Sequence, residues 1–139
     1  MQIEKVFDPG NDDLAELNRR FHEFTQSQLP GLPAESEDKK FLFTIKKADR
    51  LVAGISGAVY WNGLDIDTLW VEESQRGNGI GQQLLTEAEN YACQNNAVIA
   101  FLKTLGAVGF YQKAGYEVYG VLEDRPLGTQ LFHMKKRLD

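Results

Sequence analysis

The feature that most constrains the fold is a short apolar run that leads through three glycines into a helix. Leu69–Val71 is apolar enough to form a buried strand. Four apolar residues then recur at the spacing of one helical face: Ile80, Leu84, Leu85 and Ala88. Gly77, Gly79 and Gly81 stand between them and allow positive φ and a close approach to a ligand. Because such a turn directs free N–H groups and the helix dipole at one point, it favours a bound phosphate.

The spacing of these glycines excludes two common phosphate-binding loops. A dinucleotide-binding fold requires G-x-G-x-x-G, whereas this chain has G-x-G-x-G. A Walker A loop ends in Gly-Lys-Ser/Thr, whereas Gln82 follows Gly81. The segment Arg76–Gly81 instead resembles R/Q-x-x-G-x-G/A, the pyrophosphate loop of the GNAT acetyltransferase superfamily. Taken alone, the loop is also compatible with a strand-to-helix turn that only needs glycine.

A second motif follows at the distance that the same family shows. Gly109–Glu117 resembles F-Y-x-K-x-G-F/Y, a short helix that ends at Gly115 and leads into a strand. Phe110 is expected to pack inward while Tyr111 presents a phenol, which donates and accepts hydrogen bonds. Alone, the two would fit an aromatic core pair. Together, the two motifs identify the chain as a member of the GNAT superfamily of the small single-domain bacterial type, with a resemblance from about Phe41 to Lys136.

Length and composition predict one soluble globular domain over residues 1–139. The chain is 42% hydrophobic and 25% charged, with no apolar run near the roughly 18 residues of a membrane span. No apolar signal-peptide core follows Met1, and the single Cys93 excludes an internal disulfide. Cysteine and histidine show no metal-ligand spacing, so we expect a cytoplasmic protein without a metal or membrane contact.

The net charge argues against nucleic acid as a partner. Twenty acidic and 15 basic residues give a charge of −5, whereas nucleic-acid affinity depends on basic charge along the phosphates. An acidic surface is compatible with a cationic amine as substrate, although mild acidity is also common among cytoplasmic proteins.

Periodicity and turn signals predict a mixed order of elements. The predicted strands are Gln2–Phe7, Phe41–Lys47, Leu51–Trp61, Leu64–Val71, Ala97–Leu102, Tyr116–Val121 and Gln130–Lys136. One helix is predicted to start at Asp12 and end before Pro30. Three more are predicted over Ala34–Lys39, Gly79–Asn95 and Ala107–Ala114. Asn62-Gly63 predicts a two-residue type I′ turn. This order matches the GNAT fold, of class α/β (α+β), in which helices flank a twisted mixed sheet that is splayed between the fourth and fifth strands.

The resemblance implies an N-acetyltransferase that moves an acetyl group from acetyl-CoA to a primary amine of a small molecule, by direct attack in a ternary complex. A bulge in Leu64–Val71 would free an N–H near Leu69 or Trp70 for the oxyanion. Val71 would bond the pantetheine arm, and Tyr111 would protonate the leaving thiolate. The implied cofactor-binding residues are Leu69, Trp70, Val71, Arg76, Gly77, Asn78, Gly79, Ile80, Gly81, Gln82, Thr104 and Tyr111.

The general base stays open at this stage. Asp65 and Asp67 alternate along a predicted strand, so both should point to one face, and Asp65 is slightly favoured by its distance from the oxyanion. Glu72, Glu73 or an ordered water are alternatives, as is a purely structural role for both aspartates. His22 and His133 are interpreted as surface or packing residues, and Cys93 as a small apolar filler.

Two departures and two alternatives qualify the resemblance. Thr104 is the only neutral polar residue where many members carry Asn, and Glu123–Thr129 ends in Thr where related tails end in His. The alternative functions are an acyl-CoA-binding module without turnover and a protein or peptide N-acetyltransferase.

The last two strands should place five apolar residues near a sheet edge: Tyr119, Val121, Leu131, Phe132 and Met134. Such an edge predicts a symmetric homodimer, or a monomer if Lys135–Arg137 blunts it.

Overall fold

The computed structural model describes residues 1–33 and 37–139, which divide into a small unit over residues 1–33 and a larger unit over the rest. In the small unit, helix α1 spans Asn11–Gln28 and begins where the Gly10 N–H donates to Asp13 Oδ2 at 2.8 Å. The strand predicted over Gln2–Phe7 is wrong, because this segment is irregular. Its apolar residues Ile3, Val6 and Phe7 are all exposed, so no burial of a strand face stabilises the segment.

The larger unit is a six-stranded mixed sheet with two helices, which confirms the predicted fold class. Its elements are β1 Lys39–Lys47, β2 Arg50–Tyr60, β3 Gly63–Val71, α2 Ile80–Gln94, β4 Ile99–Thr104, α3 Val108–Lys113, β5 Glu117–Glu123 and β6 Gln130–Arg137. The strand order is β1-β2-β3-β4-β6-β5, in which β3 and β4 run parallel and the other pairs antiparallel. Of the short helix predicted over Ala34–Lys39, residues 34–36 lie outside the described residues, and Lys39 already belongs to β1.

The hairpin between β2 and β3 turns one residue earlier than predicted. Trp61 and Asn62 have φ of 47° and 57°, and Tyr60 pairs with Gly63, so the two turn residues are Trp61 and Asn62. Gly63 is instead the first residue of β3. A Cβ at Gly63 would lie 3.2 Å from Cε1 of Phe101 on β4, so packing of the neighbouring strand explains the glycine.

Helix α2 packs on the sheet through a stripe of four buried residues: Leu84, Leu85, Ala88 and Ala92. They share one core with residues of β2 and β3 that include Ile55 and Leu64. Burying each of the larger side chains contributes about 1.5–3 kcal/mol, so the start of α2 is firmly held beside the end of β3. Cys93 is exposed on the other side of α2, so its interpretation as a core filler is wrong. Among the described residues, none of the helices has the length and hydropathy of a membrane span.

Strand β3 carries the predicted bulge. Ser56 of β2 pairs with Thr68 and its neighbour Gly57 pairs with Ile66, which leaves Asp67 as an extra residue on β3. The extra residue reverses the side-chain alternation. Leu64 and Ile66 are buried before the bulge, whereas Leu69 and Val71 pack against the core after it. Trp70 therefore points away from the core and is 43% exposed.

Beyond the bulge, β3 and β4 separate. Their parallel pairing is confined to Gly63, Leu64 and Asp65, opposite Ile99, Ala100 and Phe101. β3 continues to Val71 without β4 beside it, which opens a cleft in the sheet. The splay predicted between the fourth and fifth strands is confirmed, and it lies between β3 and β4 because the first predicted strand does not form.

The last two strands pair as predicted, but only β5 lies at the edge of the sheet. β6 runs between β4 and β5, so the expectation that Leu131, Phe132 and Met134 lie near an edge is wrong, and Met134 is fully buried in the core. The exposed apolar residues of this edge belong to β5 and include Tyr119, Val121 and Leu122.

Gly57, opposite the bulge, provides a test of this strand geometry. A Cβ at this position would overlap the carbonyl oxygen of Asp65 and lie 3.0 Å from Cζ of Phe41. We expect Gly57→Ala to lower the free energy of unfolding by about 1–3 kcal/mol, since the backbone of β3 must shift. Gly120→Ala is the matched control, because the nearest atom to its Cβ is His133 Cβ at 3.9 Å. Urea denaturation should separate the two, and equal stability of both variants would contradict the register at the bulge.

Candidate active site

A cavity of about 640 Å³ lies where the cleft between β3 and β4 meets the start of α2. One wall is the end of β3, another is the glycine-rich loop (Arg76–Gly81), and the third is α3. Ten of the residues predicted to bind cofactor line it: Leu69, Trp70, Val71, Arg76, Gly77, Gly79, Ile80, Gly81, Gln82 and Tyr111. Residues that are far apart in the sequence therefore share one concave surface, which is the usual form of a small-molecule site.

The start of α2 is an array of free backbone donors. Gly77 and Gly79 have φ of 84° and 77°, and Gly79 forms the N-terminal cap of α2. The first helical N–H to find a backbone acceptor is that of Gln83, which donates to Gly79 O at 3.0 Å. The N–H groups of residues 77–82 have no backbone acceptor in the described part of the chain. With the positive end of the helix dipole behind them, these donors suit a phosphate or pyrophosphate group.

Gly81 serves packing rather than backbone conformation. A Cβ on Gly81 would lie 3.3 Å from Cζ of Phe110, so the missing side chain lets the Phe110 ring approach α2. Phe110 lines the cavity but was not predicted to contact a ligand. The signal in the sequence that could have identified Phe110 is its position next to Tyr111 in the same motif.

The end of β3 presents backbone groups to the cleft. Glu72 N–H donates to Val52 O of β2 at 2.8 Å. Since N–H directions alternate along a strand, Trp70 N–H also points toward β2, whereas those of Leu69 and Val71 point toward the cleft. Of the two N–H groups predicted for the oxyanion, the geometry therefore favours Leu69 over Trp70. The Val71 carbonyl, on the same side, accepts a hydrogen bond from Arg76 Nε at 2.9 Å.

Tyr111 of α3 lines the cavity with a side chain that is only 7% exposed. Phe110 packs against the core as expected, although it is only partly buried, and Tyr111 is the more deeply buried of the two. Burial raises the pKa of the Tyr111 phenol above its usual value of 10.0. Tyr111 consequently keeps its proton at neutral pH and can donate a proton or a hydrogen bond there.

A polar network lies behind Tyr111. The Tyr116 ring packs edge-on against Tyr111 with centroids 5.7 Å apart, and the Tyr116 hydroxyl donates to Glu89 Oε2 at 2.7 Å. Lys136 Nζ donates to the other oxygen of Glu89 at 2.9 Å. Burial, reinforced by the Glu89 carboxylate, raises the pKa of Tyr116. The network therefore joins α2, β6 and the segment after α3, and fixes the ring against which Tyr111 packs.

Two predicted cofactor residues lie outside the cavity lining. Asn78 Nδ2 donates to Gln75 O at 3.4 Å, within the loop itself. Thr104 Oγ1 accepts the N–H of Ala107 at 3.2 Å and so helps to start α3. Gln75 and Ala107 line the cavity instead, although neither was predicted. Gln75 stands directly before the motif, and Lys47 Nζ holds its side chain through a 2.7 Å hydrogen bond.

The carboxylates proposed as bases also lie outside the lining. Asp65 is half-buried and accepts a hydrogen bond from the Tyr60 hydroxyl at 3.3 Å, and burial, followed by this carboxylate, raises the pKa of Tyr60. Asp67, the extra residue of the bulge, is exposed. Glu72 is paired with Arg50, whose hydrogen bond lowers the pKa of Glu72 and makes it a weaker base.

The fold and the site together define an acetyltransferase of the GNAT type. The family model of the acetyltransferase (GNAT) family matches residues 10–116, and the chain belongs to this family. A blasticidin-S acetyltransferase of Streptomyces morookaense is 33% identical over 93 residues, which cover 63% of this chain and 67% of that protein.

Solved structures agree on the fold. An acetyltransferase from Bacillus cereus is 27% identical with a TM-score of 0.81, over 96% of this chain and 97% of that one. An aminoglycoside 6′-N-acetyltransferase crystallised with coenzyme A is 18% identical with a TM-score of 0.64, over 97% and 98% of the two chains, and shows likeness of fold alone.

Gly79→Val should abolish the binding of acetyl-CoA. The residue has positive φ and no atom within 4 Å of its Cβ position, so the isopropyl group would occupy the space in front of the N–H array. Gly128→Val is the matched control, because Gly128 has a similar φ of 84°, equally open surroundings and no place in the cavity lining. Titration calorimetry and circular dichroism should show two folded variants, of which Gly128→Val alone binds. Binding by both would place the donor site elsewhere.

Proposed function

We propose that the protein transfers an acetyl group from acetyl-CoA to a primary amine of a small molecule, by direct attack in a ternary complex. The observation that carries the proposal is the array of free N–H groups over residues 77–82 at one end of a cavity that also contains Tyr111 and the cleft edge of β3. One site then holds a pyrophosphate, an extended pantetheine arm and a thioester.

Each part of the donor meets a matching part of the chain. The N–H groups of residues 77–82 bind the pyrophosphate, and Arg76 adds positive charge. The N–H of Val71, on the cleft side of β3, bonds the pantetheine arm in place of the absent neighbouring strand. Leu69 N–H donates to the thioester carbonyl and stabilises the oxyanion as the tetrahedral intermediate forms.

The chemistry is a simple exchange at that carbonyl. The neutral amine nitrogen attacks, a C–N bond forms, and the C–S bond then breaks to release the thiolate. Tyr111, which keeps its proton because burial raises its pKa, donates a hydrogen bond or proton to that sulfur. The nitrogen is positively charged once the C–N bond has formed, and it loses one proton to a base on the opposite side.

The acceptor is assigned by charge and by relatives. A net charge of −5 suits an amine that is cationic in solution. Relatives and structural neighbours include acetyltransferases of blasticidin S and of aminoglycosides, so we place the acceptor among small antibiotic-like amines. Because the family model spans residues 10–116, we further propose that the whole chain acts as one domain, in the cytoplasm.

A panel of amines tests this assignment. Purified protein is incubated with acetyl-CoA and blasticidin S, nourseothricin, aminoglycosides, polyamines, amino acids or an N-terminal peptide, and the released thiol is measured. Mass spectrometry must find a product heavier by one acetyl group. Turnover with a peptide alone would replace the small-molecule acceptor by a protein, and binding without any turnover would indicate an acyl-CoA-binding module.

Tyr111→Phe should keep the affinity for acetyl-CoA and lower kcat by about 10²–10⁴-fold, the contribution usual for an acid–base group. Because burial raises the pKa of Tyr111 above 10.0, wild-type kcat should not fall through loss of this proton below pH 10, and the defect of the variant should be similar from pH 6 to 10. Phe110→Leu is the control for packing at the neighbouring position. An unchanged kcat in Tyr111→Phe would remove the phenol from the mechanism.

For the base we propose Asp67 or Asp65, acting directly or through an ordered water. Asp67 is exposed and nearer in sequence to Leu69, whereas Asp65 is engaged by Tyr60. Asp67→Asn should flatten the acidic limb of the pH–rate profile, because the group that titrates on that limb is gone. Asp65→Asn is the matched variant, two residues away with the same change. If the acidic limb is flattened in Asp65→Asn instead, Asp65 is the base. If both variants keep the acidic limb, an ordered water alone accepts the proton.

We also propose a symmetric homodimer formed through the edge strand β5. Tyr119, Val121 and Leu122 expose apolar surface along this edge, and unpaired backbone groups there can pair with a second copy.

Sedimentation at micromolar protein should give the mass of a dimer. Val121→Lys should shift it to the monomer, because a charged residue on an edge strand opposes pairing. Leu42→Lys is the control, since Leu42 is 68% exposed on β1 at the other edge of the sheet. A monomer mass at every concentration would exclude the dimer.

A further inference from the structure

One hydrogen bond links the two halves of the donor site. Arg76 Nε donates to the carbonyl oxygen of Val71 at 2.9 Å. Arg76 belongs to the glycine-rich loop and Val71 is the last residue of β3, and both residues line the cavity. The bond therefore crosses from the pyrophosphate half of the site to the pantetheine half.

The first part of the loop between these halves is tied to the sheet by Arg50, which pairs with Glu72, and by Lys47, which donates to Gln75. Beyond Gln75, among the side-chain bonds of the described residues, the bond from Arg76 to Val71 ties the loop back to β3. Glu73–Gln75 forms a single 3₁₀ turn, closed by Gln75 N–H and Arg76 N–H, which donate to Glu72 O and Glu73 O at 2.9 and 3.2 Å. Gly77 and Gly79 follow, and nothing lies within 4 Å of either Cβ position. Because glycine restricts the backbone least, a side-chain bond that spans the turn limits where the N–H array can sit.

We propose that Arg76 is a positioning residue of the donor site, whose Nε–H bond to the Val71 carbonyl holds the pyrophosphate loop at a fixed distance from the cleft edge of β3. This inference rests on the proposed function, because it assigns the two halves to the two ends of one donor. The guanidinium still carries its charge, but the bond determines where that charge stands. Its Nη donors remain available to a phosphate while Nε is engaged.

Substitutions of Arg76 can separate the effect of the hydrogen bond to Val71 from the effect of the positive charge. The amide nitrogen of glutamine lies as many bonds from Cα as Nε of arginine, so Arg76→Gln keeps a donor for Val71 without the positive charge. Arg76→Met keeps an unbranched chain and removes both the donor and the charge. Arg76→Lys keeps the charge on a stem without the planar donor. Arg50→Gln is the control for a lost charge nearby, since Arg50 pairs with Glu72 and does not line the cavity.

One measurement reports the hydrogen bond between Arg76 and Val71, and a second reports its effect on the binding of acetyl-CoA. The carbonyl ¹³C shift of Val71, in labelled protein without ligand, should move upfield in Arg76→Met and return toward the wild-type value in Arg76→Gln. Calorimetry with acetyl-CoA should show about tenfold weaker binding in Arg76→Met, the size expected for one lost hydrogen bond in this setting. Arg76→Gln should bind several times more tightly than Arg76→Met, although more weakly than wild type, and Arg50→Gln should keep the Val71 shift.

The possible results are distinct. An identical Val71 shift in wild type and Arg76→Met would overturn the bond. Equal affinities of Arg76→Gln and Arg76→Met, with full affinity in Arg76→Lys, would reduce Arg76 to a counter-charge and overturn its positioning role. Wild-type protein that does not bind acetyl-CoA would overturn the proposed function, while the Val71 shift would still decide whether Arg76 fixes the loop.

Discussion

The rest of the site depends on one extra residue in β3. Asp67 has no counterpart in β2, so the strand changes face between Ile66 and Leu69. Without this change, Trp70 would face the core and Leu69 and Val71 would not. With it, Leu69 and Val71 anchor the end of β3 in the core while their N–H groups face the cleft that β4 leaves open. A local irregularity of the ladder thus creates both the space and the donors that an extended ligand requires.

Backbone groups contribute to the electrostatics of the site together with side chains. The start of α2 is one positive feature of the site, where N–H groups and the helix dipole act together beside the guanidinium of Arg76. Such donors are fixed by the fold, and they do not lose a proton as pH changes. Tyr111 adds a neutral donor, since burial raises its pKa. This arrangement suits an acyl transfer, in which negative charge develops first on a carbonyl oxygen and then on sulfur.

Much of this could be predicted from the sequence, and the errors have physical reasons. The turn through Gly77 and Gly79 into α2 was predicted from a local motif, because glycine spacing restricts the conformations that fit, whereas the bulge in β3 was predicted from the resemblance to the family. The turn at Trp61 was misplaced by one residue, because the contact of Gly63 with Phe101 is a long-range packing constraint. Gln75 was missed because it stands outside the motif, and its hydrogen bond to Lys47, far away in the sequence, cannot be read from local spacing. The spacing of Asp65 and Asp67 along the strand predicted a shared face. It could not predict that the Tyr60 hydroxyl donates a hydrogen bond to Asp65.

The change of face at Asp67 has an optical consequence. The chain has two tryptophans, each 43% exposed, but only Trp70 lies at the cavity, whereas Trp61 sits in the hairpin turn. Acetyl-CoA bound in this cavity would change the polarity around the Trp70 indole and leave Trp61 as an internal reference. Trp61→Phe would then isolate the fluorescence of Trp70 for stopped-flow measurements of binding.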